Sequence, residues 1–171
     1  MFGIEIRCPF RKLNVINTGP CFFSMSDIFA EHVGFIFDAV IENVSGLTEE
    51  QLNWKPIEES DNIRKILTHM TRIALILIPQ VIDGTVNPEG WDDDYEKVPH
   101  TYEELLSDLN EAYKIVVDGI KGLSETELEA EMGLWGRNLV KKNLLFHLLR
   151  EIVHHSGQIA MLKGMHKRST A

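Results

Sequence analysis

Glu151 and His155 are the residues of this chain whose types and spacing best suit chemistry. They lie four residues apart, so they share one face of an α-helix. The same face carries a stripe of apolar residues, formed by Leu144, Leu148, Ile159 and Leu162. A carboxylate and an imidazole on an apolar face must be paired, protonated or bound to a metal, because burying an unpaired charge is costly. A Glu–His pair on a helix surface is the simpler alternative.

His69 is the best candidate to join this pair. It lies at the edge of an earlier apolar stripe with helical period, formed by Ile63, Ile66, Leu67, Met70, Ile73, Ala74 and Leu77. Together, His69, Glu151 and His155 would supply nitrogen and oxygen ligands and leave a coordination position open, as in catalytic metal sites. A histidine satisfied by hydrogen bonds within the core is the alternative for His69.

Composition excludes several classes of protein. The chain has 171 residues, of which 44% are hydrophobic and 25% are charged, and these values suit one soluble globular domain. Its net charge of −9 argues against a nucleic-acid partner, since nucleic-acid binding requires a basic face. The longest apolar run, residues 73–79, is too short to span a bilayer, so no membrane partner is expected. We expect a cytoplasmic protein with a small-molecule substrate, and the sequence allows a homodimer.

The first segment differs from the rest of the chain. Residues 1–24 lack helical periodicity and precede a helix cap, so we interpret them as an irregular arm or a mis-assigned start before Met25. Charged residues in this segment interrupt any signal-peptide core. Cys8 and Cys21 lie here and could form a disulfide, but reduced thiols of a cytosolic protein are the simpler interpretation. Residues 25–165 are the predicted domain, and residues 166–171 are a tail.

Four amphipathic helices must position the candidate ligands. Apolar periodicity and capping residues predict them over residues 26–45, 62–83, 101–121 and 138–163, with short helical turns at residues 48–52 and 124–129. Pro79 is expected to kink or tighten the second helix. Residues 84–100 form a long polar loop, and such connections are often functional. Because no strand-like alternation is evident, the predicted fold class is all-α: a single four-helix bundle with a long connection between helices 2 and 3.

Three segments resemble the DinB/YfiT-like superfamily of metalloenzymes. They are Leu52-Asn53-Trp54-Lys55-Pro56, residues 62–70 around His69, and residues 147–159, which contain His155-Ser156-Gly157-Gln158. The resemblance orders residues 26–164 and implies that His69 and His155 are metal ligands. Many members have a histidine where this chain has Glu151, but the related mycothiol-dependent enzymes use a His–Glu–His set, and glutamate is an accepted zinc ligand. Ser156 replaces the usual arginine, so the resemblance does not imply an anion contact at that position.

The resemblance also implies a function. Characterised members mostly catalyse transfers or isomerisations that use a low-molecular-weight thiol such as bacillithiol or mycothiol. This suits an open site, because a metal-coordinated thiol is deprotonated. The expected cofactors are one divalent ion, zinc or nickel, and such a thiol. Two alternatives stay open: a non-catalytic metal- or ligand-binding bundle, and a metal-dependent hydrolase whose general base would have to be His147.

Further residues have both a functional and a structural interpretation. His147 could donate a hydrogen bond to Glu151, or it could contact solvent only. His154 is interpreted as structural, and His32 could face the site. Residues 91–95 could wall a substrate pocket, although a solvated acidic loop is the default. A basic cluster for an anionic thiol would have to come from Arg64, Lys65, Arg72 and Arg150, most of which should lie on solvated faces.

Overall fold

The computed structural model describes residues 24–170. The predicted arm, apart from Ser24, and both cysteines therefore lie outside the described residues. Ser24 is the N-cap of the first helix, α1 (Met25–Val44). Its hydroxyl accepts a hydrogen bond from the Asp27 N–H, and the Asp27 carboxylate accepts one from the Ser24 N–H. This capping box begins α1 at Met25, one residue before the predicted start.

Four of the later helices begin directly after a capping residue. Thr48, Asn62, Thr101 and Ser124 each accept a hydrogen bond from a backbone N–H of the helix that follows. The helices are α2 (Glu49–Asn53), α3 (Ile63–Arg72), α4 (Ile78–Asp83), α5 (Tyr102–Gly122), α6 (Glu125–Leu128) and α7 (Lys141–Ser169). Helix α7 extends into the predicted tail, where His166 is buried.

Pro79 has a different effect from the predicted kink or tightening. A π-helical turn, Ile73–Leu77, joins α3 to α4 in one continuous helical segment. Proline lacks an N–H, and its ring would clash with the carbonyl four residues earlier in an α-helix. The helix therefore widens before Pro79, and the Ile78 N–H bonds to the Ile73 carbonyl. Such π-turns often lie beside functional sites.

A β-hairpin corrects the all-α prediction. Strand β1 (Glu131–Leu134) pairs antiparallel with β2 (Arg137–Val140), and α7 begins only at Lys141 rather than near residue 138. Trp135 and Gly136 form the turn with φ values of 51° and 69°, the backbone of a tight two-residue hairpin. The sequence lacks the Asn-Gly or Asp-Gly pair that usually marks this turn, which explains why periodicity alone missed it.

One apolar core holds the long helices together. Helix α1 packs on α5 and α7, and α3 packs on α5 and α7. The largest fully buried side chains are Phe37, Leu52, Ile63, Leu67, Met70, Ile78, Leu105, Leu109, Ile120, Leu134, Leu145 and Leu149. Each side chain of this kind stabilises the fold by about 1.5–3 kcal/mol.

The helical segment Ile63–Asp83 is long and apolar enough to cross a membrane by length and composition. Core helices pass the same test, and half of this segment's most apolar window is buried in the protein interior.

Candidate metal centre

The structure brings His69 and His155 together. His69 lies in the last turn of α3 and His155 lies in α7, and these two helices pack directly on each other. The ring centroids are 4.9 Å apart, with an edge-to-face angle of 88°. Two imidazoles from different helices therefore share one site at the surface of the core.

Both imidazoles are held through the same ring nitrogen. His69 Nδ1 lies 2.7 Å from Glu96 Oε1, and His155 Nδ1 lies 2.8 Å from Gln158 Oε1. A carboxylate or an amide oxygen can only accept a hydrogen bond, so each Nδ1 carries the proton and donates. Nε2 of each neutral ring is then the nitrogen with a free lone pair. This donor set fits a divalent metal ion, since metal-binding histidines typically donate their other N–H to such an acceptor.

Glu151 lies one helical turn before His155, but its carboxylate points to a cation. Arg150 Nη2 donates to Glu151 Oε1 at 2.9 Å and also lies 3.0 Å from His147 Nδ1. The hydrogen bond from Arg150 is the main cause that lowers the pKa of Glu151, and the charge of Arg150 lowers it further. The carboxylate is therefore ionised. Within residues 24–170, no group of three or more His, Cys, Asp and Glu side chains is placed to hold a metal ion.

The predicted inward position of these residues needs correction. The side chains of His69 and Glu151 are 39% and 30% exposed, respectively. The buried stripe of α7 runs beside them through Leu148, Ile152 and Ile159. Helical geometry of 3.6 residues per turn sets Glu151 and His155 on the edge of this stripe. The cost of burying a charge is correspondingly smaller than the sequence pattern indicated.

The loop after α4 supplies Glu96, and an ion network fixes it. Arg72 Nε lies 2.9 Å from both carboxylate oxygens of Asp93, and Arg72 Nη2 lies 2.8 Å from Oδ2. Arg72 Nη1 also donates to Glu96 Oε1 at 3.3 Å. The hydrogen bond with Asp93 raises the pKa of Arg72, and it lowers the pKa of Asp93. Glu96 thus lies between His69 and Arg72, and both donate to the same oxygen.

Tyr95 ties the same loop to α5. Its hydroxyl donates to Asp108 Oδ2 at 2.5 Å, and its ring stacks on His100 with centroids 4.2 Å apart. Burial and the Asp108 carboxylate raise the pKa of Tyr95 well above its usual range. A short 3₁₀ turn, Tyr95–Lys97, is therefore anchored on α3 and α5. Residues 91–95 were expected to form a solvated acidic loop or a pocket wall. In the structure, Asp93 and Tyr95 of this segment pack against the helices and are not fully solvated.

Among the remaining candidate residues, His154 borders the paired imidazoles, because its ring centroid lies 5.3 Å from that of His155. His32, His147 and His154 are exposed, and His147 reaches Glu151 only through Arg150. Ser156 accepts two hydrogen bonds from Asn43 Nδ2, at 2.8 Å through its carbonyl and 3.0 Å through Oγ. The position that carries arginine in the superfamily thus joins α7 to α1.

The four candidate basic residues do not form a free cationic cluster in the described part of the chain. Each is paired with a carboxylate: Arg64 with Glu49, Lys65 with Asp61, Arg72 with Asp93, and Arg150 with Glu151. A cleft of about 360 Å³ borders Glu96 and is lined by Arg64, Lys65 and Lys97 among others. A larger cavity of about 530 Å³ lies between α1 and α5. Neither the cleft nor this cavity is lined by His69 or His155.

Sequence reasoning gave no role at the site to Glu96 or Gln158, and it considered Asp93 only as part of the loop at residues 91–95. The contact of Gln158 with His155 could have been predicted, because Gln158 lies three residues later on the same helix face. Arg72 stands three residues after His69 in the same way, yet its position near the core was not predicted. No sequence signal placed Glu96, since the path of a long loop cannot be read from periodicity.

The fold and the site define a helical protein with paired histidines between its second long helical segment and its last helix. The chain belongs to the mycothiol-S-transferase family, whose family model matches residues 30–167. This match confirms the resemblance seen in the sequence and covers His69, Glu151 and His155. No curated protein matches the chain in sequence.

Two solved structures share the fold. A DinB-like protein from Bacillus subtilis superimposes with a TM-score of 0.63 at 16% identity, covering 81% of this chain and 91% of that one. A conserved protein from Enterococcus faecalis has a TM-score of 0.61 at 15% identity, covering 82% and 96% respectively. At this identity the likeness shows the fold alone.

Proposed function

We propose that this protein transfers a low-molecular-weight thiol to a small electrophile, with a divalent metal ion held by His69, Glu151 and His155. The paired imidazoles carry this proposal, because both have Nδ1 occupied and Nε2 free. The family name supports the thiol, and bacillithiol belongs to the same chemical class as mycothiol. The scaffold we propose is a four-helix bundle, formed by α1, the segment from α3 to α4, α5 and α7.

Glu151 is the proposed third ligand. It is ionised and one turn from His155, so a change of side-chain rotamer away from Arg150 would bring it toward the imidazoles. Imidazole with carboxylate ligation suits zinc or nickel and does not choose between them. The bound ion would lower the pKa of the thiol and so supply thiolate at neutral pH.

The protein's own residues hold the reactants. The half-exposed side chains of His69 and Glu151 leave the site open to a thiol without unfolding of the loop. In the reaction, the thiol loses its proton to solvent, a sulfur–carbon bond forms, and the leaving group departs with its electron pair. The cleft beside Glu96 is the proposed place for part of the substrate.

Metal analysis tests the ligand set. Protein purified without a nickel column should contain one equivalent of zinc or nickel in the wild type and in Glu151→His, since histidine is an accepted ligand there. His155→Ala should lose stoichiometric metal. His154→Ala is the matched control, because it removes the neighbouring exposed imidazole, and it should keep the metal. Tight binding of one equivalent by His155→Ala would contradict the site.

A conjugation assay tests the reaction. Metal-replete protein mixed with mycothiol, bacillithiol, cysteine or coenzyme A and a generic electrophile should form the thioether faster than the uncatalysed mixture. The acceleration should disappear in His155→Ala and on chelation, and it should persist in His154→Ala. Metal-replete protein that accelerates none of these conjugations and shows no spectral change with thiol would rule out the transfer.

A non-catalytic metal-binding protein is the second candidate. The pairing of Glu151 with Arg150 favours it, because two imidazoles alone make a weak site that need not do chemistry. Chelation separates the two candidates. A catalytic ion should leave the fold intact and lower the melting temperature slightly, since the apolar core does not depend on it, whereas a structural ion should be required for folding.

A further inference from the structure

Glu96 contacts a candidate metal ligand from outside the ligand set. Its Oε1 accepts from His69 Nδ1 at 2.7 Å and from Arg72 Nη1 at 3.3 Å. It is carried by the turn Tyr95–Lys97, which is distant in sequence from α3 and α7. The contact is therefore tertiary, unlike the Gln158–His155 contact, which lies within one helix.

The surroundings of Glu96 keep it in place. Asp93 and Arg72 are only 16% and 17% exposed and are joined by several hydrogen bonds. On the other side, the Tyr95 hydroxyl is bonded to Asp108, and His100 Nε2 lies 2.8 Å from the Tyr95 carbonyl. Three hydrogen-bonded anchors within a few residues fix this turn, and the exposed Glu96 carboxylate lies closer to His69 Nδ1 than to Arg72 Nη1.

We propose that Glu96 is a positioning residue for His69: its carboxylate accepts from Nδ1–H and thereby fixes the tautomer that leaves Nε2 free for the metal. This inference rests on the proposed function for the metal, but the tautomer can be tested without it. A carboxylate that holds a ligand histidine raises its basicity and fixes its ring, and loss of such a partner typically costs about 10- to 100-fold in metal affinity.

Imidazole nitrogen spectra of the metal-free protein, recorded in alkaline buffer where free imidazole is neutral, test the first part. His69 should be the Nδ1–H tautomer in the wild type. In Glu96→Ala it should shift toward the Nε2–H tautomer, which dominates in free histidine. Glu96→Gln should largely retain the wild-type tautomer, because its amide oxygen still accepts. Glu89→Ala, an exposed glutamate of the same loop, is the matched control and should change nothing.

Zinc affinity, measured by competition with a chromophoric chelator, tests the second part. Glu96→Ala should bind zinc about 10- to 100-fold more weakly than wild type, and Glu96→Gln should fall between them. An Nε2–H tautomer of His69 in the wild type, or a Glu96→Ala variant identical to Glu89→Ala in both measurements, would overturn the inference. If the wild type binds no metal while Glu96→Ala still changes the tautomer, the proposed function fails and the orienting role of Glu96 stands.

Discussion

The two halves of the candidate metal centre are built in different ways. On the α3 side, His69 is bonded to Glu96, and Arg72 and Asp93 hold that carboxylate in a network whose ion pair is 17% and 16% exposed. On the α7 side, the side-chain hydrogen bonds of His155 and Glu151 stay within one helix. His155 bonds to Gln158, and Glu151 pairs with Arg150, which is 70% exposed.

This difference indicates one fixed half and one adjustable half. A partly buried, hydrogen-bonded ion pair is costly to disturb, because removal of one partner leaves the other charge poorly solvated. An exposed ion pair contributes about 0–1 kcal/mol, so Glu151 can exchange Arg150 for another partner at little cost. In the proposed site, His69 would therefore be oriented before a metal ion binds, whereas Glu151 would have to leave Arg150 to become a ligand.

The largest effect is expected from Arg72→Met. The substitution keeps the apolar stem and removes the cation, so Asp93 loses its main hydrogen-bond donor in a poorly hydrated position. The free energy of unfolding should fall by about 2 kcal/mol, the usual cost of losing a hydrogen bond to a charged group. Denaturant unfolding measures it, and proteolysis within residues 84–100 should become faster. Equal destabilisation by Arg72→Met and Arg150→Met would remove the distinction between the two halves.

Acid should weaken the α3 side next. The hydrogen bond from Arg72 lowers the pKa of Asp93 in the folded protein. The carboxylate therefore contributes stability above its unfolded pKa of about 4, and this contribution is lost as pH falls through the lower folded pKa. Between pH 5 and pH 2, the wild type should lose stability more steeply than Asp93→Asn, which cannot titrate. Parallel curves in denaturant unfolding would show that Asp93 is not coupled to Arg72.

The same contrast explains what the sequence could predict. The helices and their caps at Thr48, Asn62 and Thr101 follow from apolar period and local hydrogen bonding. For His69 and His155, apolar period indicated only candidates for one site, and the family resemblance added the pairing. These signals are local or repeat along a helix, so they survive without knowledge of the tertiary path. The Trp135-Gly136 hairpin gave no such signal, because its turn lacks the usual residues.

The contacts that fix the α3 side could not be predicted for a related reason. Glu96 and Asp93 lie in an acidic loop whose composition equally suits a solvated segment. Only the path of that loop across α3 brings Asp93 to Arg72 and Glu96 to His69. The partial exposure of Glu151 was not predicted, because periodicity indicates which face of a helix is apolar but not how far the buried region extends around it. The next residue, Ile152, is buried.

Tyr95→Phe should have a moderate effect. Loss of the hydroxyl leaves Asp108 without its donor, and the free energy of unfolding should fall by about 1 kcal/mol. Burial and Asp108 raise the pKa of Tyr95 in the folded state, so above pH of about 10 the unfolded chain ionises while the folded one does not. Wild-type stability should therefore fall with rising pH in that range, and Tyr95→Phe should lack this component.

Proteolysis of residues 84–100 tests whether Tyr95 anchors the loop, and Tyr113→Phe is the matched control for it. Desolvation, followed by Asp38, raises the pKa of Tyr113. This tyrosine lines the cavity between α1 and α5 and is not in the loop. The control should not alter proteolysis of residues 84–100. If Tyr95→Phe leaves that loop as protected as Tyr113→Phe does, Tyr95 is not one of its anchors.

The smallest effect on stability is expected from Arg150→Met. Its pair with Glu151 is exposed, so the free energy of unfolding should change by no more than about 0.5 kcal/mol. The pKa of Glu151 should rise toward its ordinary value, since Arg150 is the main cause of its lowering. Zinc affinity should increase by about two- to fivefold, because Glu151 no longer has a competing cation. This range corresponds to the energy of an exposed ion pair, since each 1.4 kcal/mol is about tenfold in affinity. Arg150→Lys, which keeps a charge but loses the planar donor, should fall between wild type and Arg150→Met. A tenfold loss of affinity in Arg150→Met would mean that Arg150 holds Glu151 ready for the metal, and the α7 side would then be as preorganised as the α3 side.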